Sequence, residues 1–175
     1  MSGHRSPGHG SEAKIDPTGL RVVYRSIVSA YILSADDLLL MGRQDPSRGG
    51  TWPNAWRIPG GGKKEGETLR QAMVREGGEE VVGLDFSDHE LTHLPISAEG
   101  ASIKTLESGE VVWQAMIFHH FAVRLGGPAA DYDLSPGGDL RELGWLNREE
   151  RAAAEQIPMG KALMSKAGLI DQPTA

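Results

Sequence analysis

Apolar residues are concentrated in a few blocks along the chain, and their spacing separates strands from helices. Arg21–Leu33 is apolar and rich in β-branched residues (Val22, Val23, Ile27, Val28, Ile32), which predicts a central strand. Ser34–Asp37 has turn composition. Leu38–Met41 then predicts a second strand ending at Gly42 and Arg43, and Ala55–Ile58 a short third one. Val111–Leu125 carries the longest strand pattern. Val111, Trp113, Ala115, Ile117, Phe121 and Val123 share one face, with His119 between them, while Val112, Met116 and Phe118 lie on the other. Both faces are thus covered, as in a strand buried inside a sheet. His119 and His120 point to opposite faces and do not act as a pair. Leu84–Phe86 and Leu91–Ser97 read as further strand segments. Ala98–Gly109 and Gly126–Gly138 read as loops, and Asp139–Leu146 as a segment ending in a short strand. Asn147 is an N-cap for a helix over Arg148–Gln156, and Pro158 starts a last helix towards Gly168.

One helix departs from this plain scheme. Thr68 followed by Gln71 has the form of a capping box, so regular helix starts near Leu69 and continues towards Val82. At ~100° per residue, Leu69, Ala72 and Met73 share a side with Glu76 and Glu80, and Glu79 lies ~60° from Glu76. The face turned to the core therefore changes from apolar to acidic halfway along. Like charges three and four positions apart repel, and buried carboxylates cost several kcal/mol each without a partner. Oxygen-only donors at such density suit a hard cation, Mg²⁺ or Mn²⁺. A solvated acidic patch is the plainer explanation of two adjacent glutamates. The glycine-rich stretch Pro59-Gly60-Gly61-Gly62 upstream and Arg75 beside the acids argue against it here.

Composition narrows the field. The chain has 175 residues, enough for one domain with a sizeable core. We expect a flexible tail over 1–19, rich in Gly, Ser, His and Pro, and a single domain over 20–175. Against 24 acidic residues stand 18 basic ones, a net charge of −6 that argues against nucleic acid and anionic membrane as partners. There are no cysteines, so neither disulfides nor thiol chemistry arise. No apolar run approaches a membrane span or the core of a signal peptide, and a soluble cytoplasmic protein is the expectation. The spacings of P-loop, G-x-S-x-G, HExxH and CxxC motifs do not occur.

Gly61, Glu67, Arg75, Glu76, Glu79 and Glu80 stand at the spacings of G-x5-E-x7-R-E-U-x-E-E-x-G-U, and in this the chain resembles the Nudix hydrolase family. Three positions depart from the pattern. Gly77, followed by Gly78, occupies the bulky apolar position after Glu76. Val81 and Val82 stand before Gly83 where the family has one residue. Lys64 takes a place where the family usually has Glu. Two glycines in a helix cost ~1 kcal/mol each relative to Ala.

The resemblance implies an α/β fold, the Nudix α/β/α sandwich with a mixed sheet. It also implies hydrolysis of a diphosphate linkage in a nucleoside diphosphate derivative, a small-molecule substrate. On this reading Glu76, Glu79 and Glu80, with Gly61, hold Mg²⁺ or Mn²⁺, and Arg75 pairs with Glu67 to orient the helix acids. Glu142, just before Trp145, is the candidate for an added ligand or base, with Glu99, Glu107 and Glu110 as competitors. Arg43, Arg57 and Lys63 are candidate phosphate contacts alongside Arg48 and Lys64. Trp52 is a candidate for stacking on a base, whereas Trp56 fits better as core. Family members often dimerise, so a homodimer is compatible. Two rivals stand beside the hydrolase. A catalytically weak nucleotide-binding module would follow if Gly77, Gly78 and Val82 disrupt the helix end. A diphosphate-ester isomerase commonly uses a Cys, which this chain lacks.

Overall fold

The computed structural model describes residues 19–48, 52, 54–157 and 159–171. Residues 1–18 of the expected tail lie outside the described residues, as does Pro158.

Strand β1 (Arg21–Leu33) is the spine. It pairs in parallel with β7 (Val111–Arg124) from Arg21↔Val112 to Leu33↔Arg124. It pairs antiparallel with β2 (Leu39–Gln44) near its end and with β4 (Gly60–Gly62) at Ile27, Val28 and Ser29. The short β3 (Trp56–Arg57) and β9 (Leu140–Leu146) both lie against β2. On the far side β6 (Thr92–Thr105) pairs antiparallel with β7 and forms the edge. The result is one mixed sheet of seven strands among the described residues.

Helices cover both faces, in register with the two-residue alternation of the strands. Helix α1 (Leu69–Glu80) lies on the side of Val28, Ala30, Ile32, Phe121 and Val123, and its Ala72 and Met73 complete a core with Val81, Leu84 and Phe86. On the opposite side Tyr31, Leu33, Leu39, Met41 and Leu146 pack with Met164 of α3 (Gly160–Lys166) and with Leu169 and Ile170. Between β9 and α3 stands α2 (Arg148–Ala153), capped by Asn147, whose Oδ1 accepts from the Glu150 N–H at 2.9 Å. Its Arg151 is fully buried and donates to the carbonyls of Leu169 at 2.7 Å and Asp37 at 3.1 Å. This ties the C-terminal segment to the β1–β2 turn. The mixed sheet between helical layers is the expected α/β/α arrangement. None of the helices among the described residues is long and apolar enough to cross a membrane.

Several boundaries differ from expectation. Ala98–Thr105, expected as loop, continues β6. Every residue from Ser97 to Thr105 pairs with β7, and its polar composition follows from edge position rather than from irregular backbone. Leu84–Phe86 is not a strand. Asp85 caps a short 3₁₀ turn over Phe86–Asp88, accepting from the Ser87 N–H at 2.9 Å, which drops Phe86 into the core. Helix α1 stops at Glu80, and Val81–Val82 forms a two-residue ladder (β5) with Ser135–Pro136 (β8). The helix after Asn147 ends at Ala153 rather than Gln156, and the last helix begins at Gly160.

Candidate active site

The N-terminus of α1 is fixed as the sequence predicts. The Thr68 hydroxyl accepts from the Gln71 N–H at 3.1 Å, and the Gln71 side chain accepts from the Thr68 N–H at 2.8 Å. From that start the helix carries Arg75, Glu76, Glu79 and Glu80 to its C-terminal end, beside the backbone of Gly60–Gly62.

Glu80 is buried. Its carboxylate accepts from the Gly60 N–H at 2.8 Å and from Arg57 at 2.5 Å and 3.3 Å. The same guanidinium donates to the Gly60 carbonyl at 3.0 Å. Burial pushes the Glu80 carboxyl upward, and Arg57 opposes it. A second arginine, Arg75, serves four partners. It binds both Glu67 oxygens at 2.6 Å and 3.0 Å, Glu76 at 2.6 Å, the Gly62 carbonyl at 2.9 Å and Glu79 at 3.3 Å. Its hydrogen bonds, with that from the Lys64 N–H, hold Glu67 down at about 2. Arg75 itself is raised, first by Glu67. The expected Arg75–Glu67 pair is thus present.

Each glycine of β4 has a steric reason. A Cβ on Gly60 would fall 2.5 Å from Ser29 Cα, one on Gly61 would overlap the Glu76 carboxylate, and one on Gly62 would overlap the Arg25 guanidinium. Gly77 also has one: a Cβ there would meet three ring atoms of Phe86 at 2.7 Å, whereas Gly78 faces open space. The first glycine is therefore a packing requirement, and α1 remains helical through Glu80.

The helix acids, Arg75, Arg57 and the glycine strand line a cleft of about 910 Å³ on the α3 side of the sheet. Of the residues singled out from sequence, Gly61, Glu76, Glu79, Glu80, Arg75, Arg57 and Trp52 line it, as do Lys64 and Glu99. Arg43, Lys63, Glu67 and Glu142 do not. Glu142 sits on β9 and pairs with Arg43 at 3.3 Å. Arg43 is further held by the Asn54 carbonyl at 3.0 Å and by the Trp56 ring, 5.4 Å from its centroid. Glu142 is thus tied to Arg43 outside the cleft lining, and Glu110 pairs with Arg21 at 2.7 Å.

Among the lining residues that sequence reasoning misses are Arg25, Ser29, Tyr31 and His120. A cation and a serine inside an apolar strand are a signal for the first two.

Among the described residues no three acids or histidines are gathered as a ready metal cage; Glu76, Glu79 and Glu80 are each tied to an arginine. Their chemistry nonetheless fits a hard dication. All donors are oxygen, and Gly61 keeps the backbone against the Glu76 carboxylate.

Comparison with solved structures finds the same fold repeatedly. The dihydroneopterin triphosphate pyrophosphohydrolase of E. coli superposes with a TM-score of 0.61 at 20% identity, over 82% of this chain and 96% of that one. The MutT protein from Methanosarcina mazei Go1 gives 0.59 at 20%, over 82% and 91%. The Nudix hydrolase RenU of M. smegmatis gives 0.53 at 17%, over 95% and 100%. Comparison with curated proteins by sequence finds no match. The NUDIX domain model matches residues 23–165, which takes in the sheet, the glycine strand, the acidic helix and the cleft together, and the chain belongs to the Nudix family.

Proposed function

We propose that the protein hydrolyses a diphosphate linkage in a nucleoside diphosphate derivative, with Mg²⁺ or Mn²⁺ as cofactor. One observation carries the reading: Glu76, Glu79 and Glu80 line a cleft whose walls are otherwise largely apolar. That pairing suits a ligand with an anionic phosphate end and a flat organic end.

Glu76, Glu79, Glu80 and the Gly61 backbone would hold the ion, which, when bound, neutralises phosphate oxygens and acidifies a water. Glu79 is the most exposed of the three acids, with a side chain 52% accessible, and it makes the longest contact with Arg75. It is the carboxylate with room to take a proton from the attacking water. The water oxygen bonds to one phosphorus as the bridging P–O bond breaks, and the bridging oxygen leaves with the other phosphoryl group. The products are a monophosphate and a second phosphorylated fragment. Arg75 and Glu67 act as positioning residues, holding Glu76 against the glycine strand. Arg25 and Lys64, whose charges line the cleft, and Arg57 once its link to Glu80 loosens, meet phosphate oxygens. Trp52, half exposed on the cleft wall, stacks on the organic end.

The test is a phosphate-release screen with Mg²⁺ over nucleoside triphosphates, nucleotide sugars, ADP-ribose and dinucleoside polyphosphates, with Glu79→Gln and EDTA controls. Turnover of one class, lost in both controls, supports the hydrolase. Metal-dependent ligand binding without turnover of any class would replace it with the binding-module reading. That rival draws its support from a helix end disrupted by glycines, and α1 keeps its helical hydrogen bonding to Glu80.

A further inference from the structure

Across the sheet from Gly60, first β1 and then β7 place Ser29, Tyr31 and His120 side by side in the cleft. His120 is 3% exposed, its Nδ1 lies 3.0 Å from Ser29 Oγ, and its ring centroid is 5.6 Å from that of Tyr31. Its Nε2 is buried with no hydrogen-bond partner. Buried polar atoms are nearly always paired, so an orphan lining a ligand cleft marks a place where a ligand atom belongs. Ser29 fixes which kind of atom. Its hydroxyl is buried and has Nδ1 as its only side-chain partner among the described residues. If Nδ1 carried the proton, the hydroxyl hydrogen and Nε2 would both go unpaired. If the hydroxyl donates to Nδ1, the proton resides on Nε2 and only that N–H awaits a partner.

We propose that His120, set by Ser29, offers its Nε2–H as the donor that reads an acceptor, a carbonyl oxygen or ring nitrogen, on the heterocyclic base of the substrate. The proposal names the organic end of the ligand invoked above and rests on that reading for the direction in which the substrate lies. The walls suit a flat ring: Tyr31, Phe118, Ile58 and Met164 all line the cleft. Burial, with His119 and His93 adding to it, pulls the imidazole down to about 4, so the group is a neutral donor at physiological pH and does not select for phosphate. A second orphan, Gln156 Oε1, also belongs to a residue lining the cleft. It is an acceptor, so a base bearing both acceptors and an N–H donor answers both.

Calorimetry with Mg²⁺ tests this on the full chain, using the four common nucleoside 5′-monophosphates against ribose 5-phosphate. At least one monophosphate should bind about tenfold tighter than the base-free sugar, the worth of one good hydrogen bond and its stacking. That advantage should collapse in His120→Leu, recover in part in His120→Asn, and weaken in Ser29→Ala. Nitrogen-edited NMR of the free protein should show the Nε2-protonated tautomer. Should His120→Leu fail to fold, Ser29→Ala and the tautomer carry the test. Equal binding of the sugar phosphate and the nucleotides, a preference untouched by the variants, or an Nδ1-protonated ring would each overturn the proposal. Base selectivity without turnover would support it while removing the hydrolase reading.

Discussion

Under α1, Val28, Ala30 and Ile32 of β1 are sealed with no measurable exposure. One residue over on the same strand, Ser29 and Tyr31 face the cleft instead. The difference lies in what covers each side. Helix α1 spans 12 residues and brings Ala72 and Met73 down onto the sheet. Helix α3 spans 7, and the apolar cluster it joins centres on Tyr31, Leu33, Leu39, Met41 and Leu146. The stretch of sheet around Ser29, Phe118 and His120 is left as a cleft. A single alternating strand can therefore supply half of a dry core and half of a binding floor, according to what covers each side.

That contrast can be broken most severely where the two sides meet, at Glu80. Glu80→Gln keeps the volume but removes the charge paired with Arg57, and kcat/KM should fall about 10²–10⁴-fold; a fall of less than threefold would exclude Glu80 from the chemistry. The next largest effect concerns the sealed side. Met73→Ala opens a cavity under α1 and should cost about 2–5 kcal/mol. Ile27→Ala, which enlarges a space already open to ligand, should cost less than half as much. Equal losses in chemical denaturation would show that the cleft is packed as tightly as the core.

Third comes the glycine pair. Gly77→Ala forces a methyl against Phe86 and should destabilise by ~1–3 kcal/mol, while Gly78→Ala should gain up to ~1 kcal/mol. Melting temperatures moving the same way for both would refute the packing role of Gly77. The last test is a pH dependence on the cleft side. His120 has a folded pKa of about 4, below the ordinary histidine value. Between those values the unfolded chain binds the proton and the folded chain does not, so stability present near neutrality is lost as pH falls from about 6.5 towards 4. His120→Asn should flatten that slope. An unchanged slope would mean that the ring is solvated.

Local signals are legible in the amino-acid sequence itself. Thr68 and Gln71 announce the helix start, and the ~100° period places Glu76 and Glu80 on the core side. The apolar run of β1 marks its full extent. What stays hidden depends on contacts between distant positions. Gly77 looks like a helix defect because Phe86, which occupies the missing side chain's space, arrives by a 3₁₀ turn that composition does not signal. Ala98–Thr105 looks like loop because an edge strand needs no apolar face. Glu142 is a site candidate from its neighbour Trp145, but its pairing with Arg43 comes from the β9 register, which the local sequence does not signal. His120 can be assigned to a face but not to Ser29, 91 positions away.

That separation also bears on how the chain folds. β1 is made before its parallel partner β7, and β4 and α1 lie between them in the chain. Loop closure over such a span is entropically costly, and slow folding follows from a topology dominated by non-local pairing. Until β7 emerges, one long edge of an apolar strand has nothing to bond with, so nascent chains of this protein are the form most exposed to aggregation and most in need of a chaperone.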